Sequence, residues 1–151
     1  MDHQPPAADA VLIRPMVPGD AEAVATLTGQ LGYPAAPGEI LARMAGISGK
    51  DDHLLLVAGP GGRAAAYIHA AVAMTLGGPP RVHVHSLVVE ETARGTGLGA
   101  ALLAAAEAWA RSRGLAACSL YSQAKRASAH RFYLRHGYSE KKRSVYFAKD
   151  L

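Results

Sequence analysis

The stretch "ARGTGLGAALLAAAEAWARSRG", residues 93–114, sets Gly95, Gly97 and Gly99 alternately at the head of an alanine- and leucine-rich run. Leu98, Leu102, Ala105 and Trp109 recur along that run at helical spacing, Arg111 and Arg113 fall in its last turn, and Gly114 ends it. An apolar, β-branched segment, "VHVHSLVV", precedes the glycines. A strand that runs through such a loop into a helix leaves several backbone amides unpaired at the positive end of the helix dipole, which makes an anion site. A tight turn alone would need neither three alternate glycines nor Arg94 before them.

Two phosphate-binding patterns fail on the residues. A P-loop requires Gly-Lys and then Ser or Thr at the helix start, and "GLGAALL" has neither lysine nor hydroxyl. A dinucleotide fingerprint requires an acid about 20 residues further on, and the chain has none there and no second nucleotide-binding half.

The rest of the chain is one domain's worth of elements. Residues 1–10, "MDHQPPAADA", are expected to be a disordered tail, and residues 11–151 a single domain. "VLIRP" predicts a strand. Asp20 offers an N-cap to a helix marked by Val24, Leu27 and Leu31, and Ile40, Leu41, Met44 and Ile47 mark a second. Between residues 53 and 89, "GPGG" and "GGPP" punctuate three apolar runs that read as an antiparallel meander. "LAACSLYS" predicts another strand, Ala129, Phe132, Tyr133 and His136 a late helix, and "SVYFAKDL" a last strand.

The opening residues lack the pattern of a secretory signal, and no apolar run approaches ~18 residues, so a soluble cytoplasmic protein with no membrane partner is expected. The single Cys118 reads as a reduced core residue. Charge is uneven. Residues 1–60 hold seven acids and three bases, whereas residues 111–151 hold ten bases and two acids. Those bases are scattered without interleaved aromatics or a nucleic-acid motif, which disfavours nucleic acid and suits a small polyanion or a solvated face.

Arg94, Gly97 and Gly99 match in full the acetyl-CoA loop of the GNAT superfamily of N-acetyltransferases: Arg or Gln, two residues, Gly, one residue, Gly or Ala. "HSLVV" is similar to that family's fourth strand. "AHRFYLRHGY" resembles its late helix, with Tyr133 four residues before Gly137 and Tyr138. "RPMVPGD" and "QLGYP" extend the resemblance over nearly the whole chain from Val11.

The resemblance implies an α+β fold: a mixed, mostly antiparallel, twisted sheet flanked by helices and splayed between its fourth and fifth strands. A bulge in the fourth strand would free the backbone of Leu87, Val88 and Val89 for the pantetheine arm of acetyl-CoA. The amides of Arg94, Gly95, Thr96, Gly97, Leu98 and Gly99 would hold its pyrophosphate. Tyr133 matches the tyrosine that protonates the departing thiolate. Many members carry Glu where His85 stands, so His85 is the candidate base, with His83 or a held water as alternatives. Arg126 stands where Asn is common, and a cofactor contact through it is plausible. His83 and His85 alternate on a strand and His69 offers a third ligand, but the resemblance requires no metal and none is expected.

The expectation is therefore an acetyl-CoA-dependent N-acetyltransferase in which an amine attacks the thioester directly. The acceptor, a small amine such as an aminoglycoside or a protein amino group, is left open, as is a homodimer. The alternatives are a non-catalytic acyl-CoA-binding module and a nucleic-acid-binding scaffold using the basic third.

Overall fold

The first strand is short because Pro15 ends it. The computed structural model, which describes residues 10–151, has β1 at Val11–Pro15 and a single 3-10 turn at Pro18–Asp20. There follow α1 (Ala21–Gln30), α2 (Pro37–Ile47), β2 (His53–Pro60), β3 (Ala66–Thr75), β4 (Gly78–Val89), a 3-10 turn (Glu91–Ala93), α3 (Leu98–Ser112) and β5 (Cys118–Leu120). These elements lie in one compact unit ending at Leu120, and a second unit, Tyr121–Leu151, carries α4 at Ala127–Arg135. The tail expected over residues 1–10 lies, except for Ala10, outside the described residues.

The five strands stand in chain order, β1-β2-β3-β4-β5. The first four are antiparallel neighbours and β5 is parallel to β4, so the sheet is mixed and mostly antiparallel, as expected. Its two faces are covered differently. Val57, Tyr67 and Val88, register partners across β2, β3 and β4, join Ala21, Val24, Leu27, Ile40 and Met44 of α1 and α2 in one apolar cluster. α3 lies against β2, β3 and β4, where Ile68, Val82, Leu98 and Leu102 are all but sealed from solvent. Trp109 is half-buried, with the Arg113 guanidinium 5.3 Å from its ring centroid. Leu41, expected on the buried face of α2, is exposed.

Asp20 follows a different plan from the helix cap its position suggested. Its side chain makes no cap to α1. It accepts from the Val17 amide at 2.8 Å and from Nη1 and Nη2 of Arg14 at 2.9 and 2.7 Å, tying β1 to the start of α1. The last strand is also a correction. Residues 139–151 form no strand, and Val145, Tyr146 and Phe147 are exposed, because β propensity becomes a strand only where a ladder partner exists.

The Asp20 carboxylate is nine-tenths covered and sits below the ordinary range, chiefly through the hydrogen bonds from Arg14. Its stabilisation is thus complete above the unfolded value near ~3.9 and lost as pH falls through the lower folded value. Asp20→Ala should cost about 2 kcal/mol at neutral pH, a melting temperature lower by roughly 4 to 8 °C, and less at pH 3. Equal losses at both pH values would refute the ion pair's role.

Candidate active site

The site begins with register. β3 opposes Ser86 with His69 and Val84 with Ala70, so His85 has no partner across the ladder: β4 bulges there by one residue. Beyond the bulge, Leu87, Val88 and Val89 pair with Ile68, Tyr67 and Ala66 on the β3 side. On the other side β5 pairs only with Val82, His83 and Val84. Past Val84 the two strands no longer pair, and in a ladder every second residue's amide and carbonyl face away from a given neighbour. β5 ends at Leu120, so Leu87–Val89 lie where β4 has no ladder partner on that side.

Two residues after β4 the chain turns, and Glu90 anchors the turn through its amide to the Ala65 carbonyl, 2.8 Å, and its carboxylate to Arg63, 3.1 Å. Gln30 at the end of α1 accepts from the Glu91 amide at 3.3 Å. The glycines then take conformations that side chains rarely adopt, Gly95 at φ 79° and Gly97, the N-cap of α3, at φ 89°. Among the described residues the amides of Gly95, Thr96 and Gly97 donate to no backbone carbonyl. Those of Leu98 and Gly99 open the first turn of α3, where no intrahelical partner exists and no acidic side chain supplies one. A Cβ on Gly95 or Gly97 would meet nothing within 4 Å, so approach to these amides is open. The residues present fit a pyrophosphate.

Four histidines share the sheet face that α1 and α2 cover further along. His53 Nδ1 and His69 Nε2 are 3.0 Å apart with their rings stacked. The His69 and His85 ring centroids are 4.8 Å apart, those of His83 and His85 5.2 Å. His83 Nδ1 lies 2.9 Å from Ser119 Oγ, which also accepts from Arg81 Nε at 2.9 Å. His85 reaches solvent. Even so, partial burial and then the field of His53 hold it below the ordinary histidine value, and burial lowers His83 as well. The two are on one face, as alternation expected, His69 lies beside them, and the structure adds His53. Among the described residues no group of three or more His, Cys, Asp or Glu is placed to hold a metal ion.

Tyr133 belongs to the second unit, on α4, with Phe132 and Tyr138 edge-on to its ring at 5.2 and 5.9 Å. Burial raises its phenol above the ordinary value, with Arg126 opposing, so it is protonated at neutral pH. In the first unit, Glu22, Ala25, Thr26, Ala35 and Pro37 line an open cleft of about 460 Å³ on α1 and the start of α2.

Residues 24–138 match the model of the acetyltransferase (GNAT) family, and the chain belongs to that family. It is an acetyl-CoA-dependent N-acetyltransferase. Its fold is that of a transcriptional regulator from Bacillus halodurans C-125, 22% identical, with a TM-score of 0.83 over 93% of this chain and 100% of that one. It is also similar to the aminoglycoside N-acetyltransferase AAC(6')-Iy in complex with CoA, 21% identical, with a TM-score of 0.82 over 97% and 99% of the two chains. The aminoglycoside 6'-N-acetyltransferase AAC(6')-Ih from Acinetobacter baumannii, 20% identical, superposes with a TM-score of 0.79 over 94% and 99%. No curated protein matches the chain. No helix among the described residues is long and apolar enough to cross a membrane.

Acetyl-CoA at a hundredfold excess over its dissociation constant should add about 2.7 kcal/mol to stability, a rise of roughly 5 to 11 °C in melting temperature. Gly97→Val should lower the unliganded protein by about 1 to 3 kcal/mol, since valine is strained at positive φ, and abolish the shift. A full shift in the variant would remove the loop from the cofactor site.

Proposed function

We propose that residues 11–151 act as one catalytic domain, working in the cytoplasm, that moves the acetyl group of acetyl-CoA to a primary amine by direct attack. The observation that carries this reading is the coincidence on β4 of three things: the bulge at His85, the end of pairing with β5, and the run into an open amide cradle. The amides from Arg94 to Gly99 bind the pyrophosphate, and the freed backbone of Leu87–Val89 aligns the pantetheine. The amine nitrogen then attacks the thioester carbon, its proton passes to the neutral imidazole of His85, and the C–S bond breaks. The leaving sulfur takes the proton of Tyr133, the residue that matches the family's tyrosine. No acetyl-enzyme forms.

His85 suits the base better than His83, because its ring reaches solvent while His83 is engaged with Ser119. The acceptor is an amine entering over α1 and α2. The exposed carboxylate of Glu22 in their cleft favours a cationic one, and the aminoglycoside acetyltransferases of the same fold make a small polyamine the first class to try. A homodimer fits the exposed apolar side chains of Val145, Tyr146, Phe147 and Leu151.

A panel of polyamines, aminoglycosides, amino acids and peptides, read by release of free CoA thiol, tests the reading; binding of acetyl-CoA with no thiol release for any amine would favour the non-catalytic module. Tyr133→Phe should lower turnover roughly 10²-fold to 10⁴-fold with little change in melting temperature, and an unchanged rate would return Tyr133 to a packing role. For the parent, kcat/KM should rise with pH through one ionisation below the ordinary histidine value of ~6.5. His85→Gln should remove that limb and lower the plateau; His83→Gln should leave the limb in place.

A further inference from the structure

Glu90 and Glu91 carry the wrong charge for their position, directly before a loop whose open amides suit an anion. The Glu90 side chain is the more covered of the two and faces a cation: Arg63, from the turn between β2 and β3, donates to its carboxylate through Nη2 at 3.1 Å. Pairs of this exposure, 58% for the arginine side chain and 29% for the glutamate, contribute little to the stability of a fold. What such a pair can do is fix the place of a segment that has few other holds.

The turn that carries Arg63 is itself pinned. The Gly62 carbonyl accepts from Arg14 Nε at 3.0 Å, the Arg63 amide donates to the Pro60 carbonyl at 3.0 Å, and the buried Ala65 donates to the carbonyls of Ala58 and Arg63 at 3.0 and 2.9 Å. β2 makes room for this turn at Gly59, where a Cβ would run into the Arg63 carbonyl oxygen. Ala65 also accepts from the Glu90 amide at 2.8 Å, so one turn holds Glu90 by backbone and by side chain. The loop beyond depends on that root. The Ala93 amide returns to the Glu90 carbonyl at 2.9 Å, the Thr96 hydroxyl donates to the Ala93 carbonyl, and Gly95 and Gly97 have no side chain with which to pack.

Resting on the reading of the loop amides as the pyrophosphate cradle, we propose that Arg63 is a positioning residue for cosubstrate binding: it acts through Glu90, holding the root of the loop and neutralising a carboxylate that would otherwise repel the phosphates. Glycine-rich backbone loses the most freedom when it is ordered, so a loop fixed before its ligand arrives binds with less loss. Without the guanidinium the same loop is ordered at the moment of binding, beside an unbalanced negative charge.

The test is calorimetric titration of the full chain with CoA, which needs no acceptor amine. Arg63→Met should raise the dissociation constant roughly threefold to tenfold with little change in melting temperature, and Arg63→Lys, which keeps the cation, should stay within about twofold of the parent. Arg63→Ala carries the test if the methionine variant folds poorly. In a Glu90→Ala background the change Arg63→Met should add less than about twofold, because the effect of the arginine passes through the carboxylate. In the free protein, amide exchange at Gly95–Gly97 should quicken in Arg63→Met and stay as in the parent at Leu102–Ala110. An unchanged dissociation constant in folded Arg63→Met overturns the proposal, and so does the same weakening in the Glu90→Ala background, which would make the guanidinium a direct ligand of the phosphates. Gly97→Val separates the two levels. If it abolishes CoA binding while Arg63→Met binds as the parent does, the cradle stands and the positioning role falls; CoA bound equally by Gly97→Val and the parent overturns both.

Discussion

Strand β4 is satisfied along one edge and abandoned along the other, and the candidate site follows from that asymmetry. β3 holds β4 in place from Val82 to Val89, whereas β5 accompanies it for three residues and stops. A sheet interior cannot leave a row of amides and carbonyls unpaired without a partner, since each buried orphan costs about 1 to 3 kcal/mol. An extended, amide-bearing ligand arm meets that need as a strand would. The bulge at His85 contributes by shifting the register of β4 on β3, which sets the side chains before and after it against different neighbours. Rigid support comes from both faces, with α3 beneath and the α1–α2 cluster above the far end of the strands.

Much of this was legible in the chain. The alternation of Gly95, Gly97 and Gly99 before a capped, amphipathic run announced an anion-binding helix start, and the positive φ at two of them shows why no other residue would serve. The meander was legible for a similar reason, because "GPGG" and "GGPP" are local turn chemistry. What stayed hidden depends on pairing between distant segments. That His85 is one residue too many against β3, or that His53 meets His69 across sixteen positions of sequence, follows from register, which no single strand carries. "SVYFAKDL" shows the converse failure: its β-branched and aromatic pattern suits a pleated sheet, but pattern does not provide a neighbour. Asp20 fails more gently. It occupies the N-cap position, yet a guanidinium held 2.7 Å away on β1 outcompetes the helix amides for its carboxylate.

Electrostatics then divides the labour in the proposed reaction. Burial raises the Tyr133 phenol and lowers the histidines, so at neutral pH the acid candidate retains its proton while the base candidates are without theirs. Both groups are neutral in those states, and neither needs a counter-ion in a partly buried setting. The basic residues of the C-terminal third need no nucleic acid to account for them in such a scheme, since a cosubstrate bearing phosphates is itself a polyanion.

The central claim is that the parting of β4 from β5 and the loop after it form the cosubstrate's bed. Backbone amide hydrogen exchange, followed residue by residue with and without CoA, tests it most directly. Binding should slow exchange at Leu87–Val89 and across Arg94–Gly99 together, and leave β1 and β2 unchanged. Protection confined to other segments, or binding without protection in either of these two, would contradict the account.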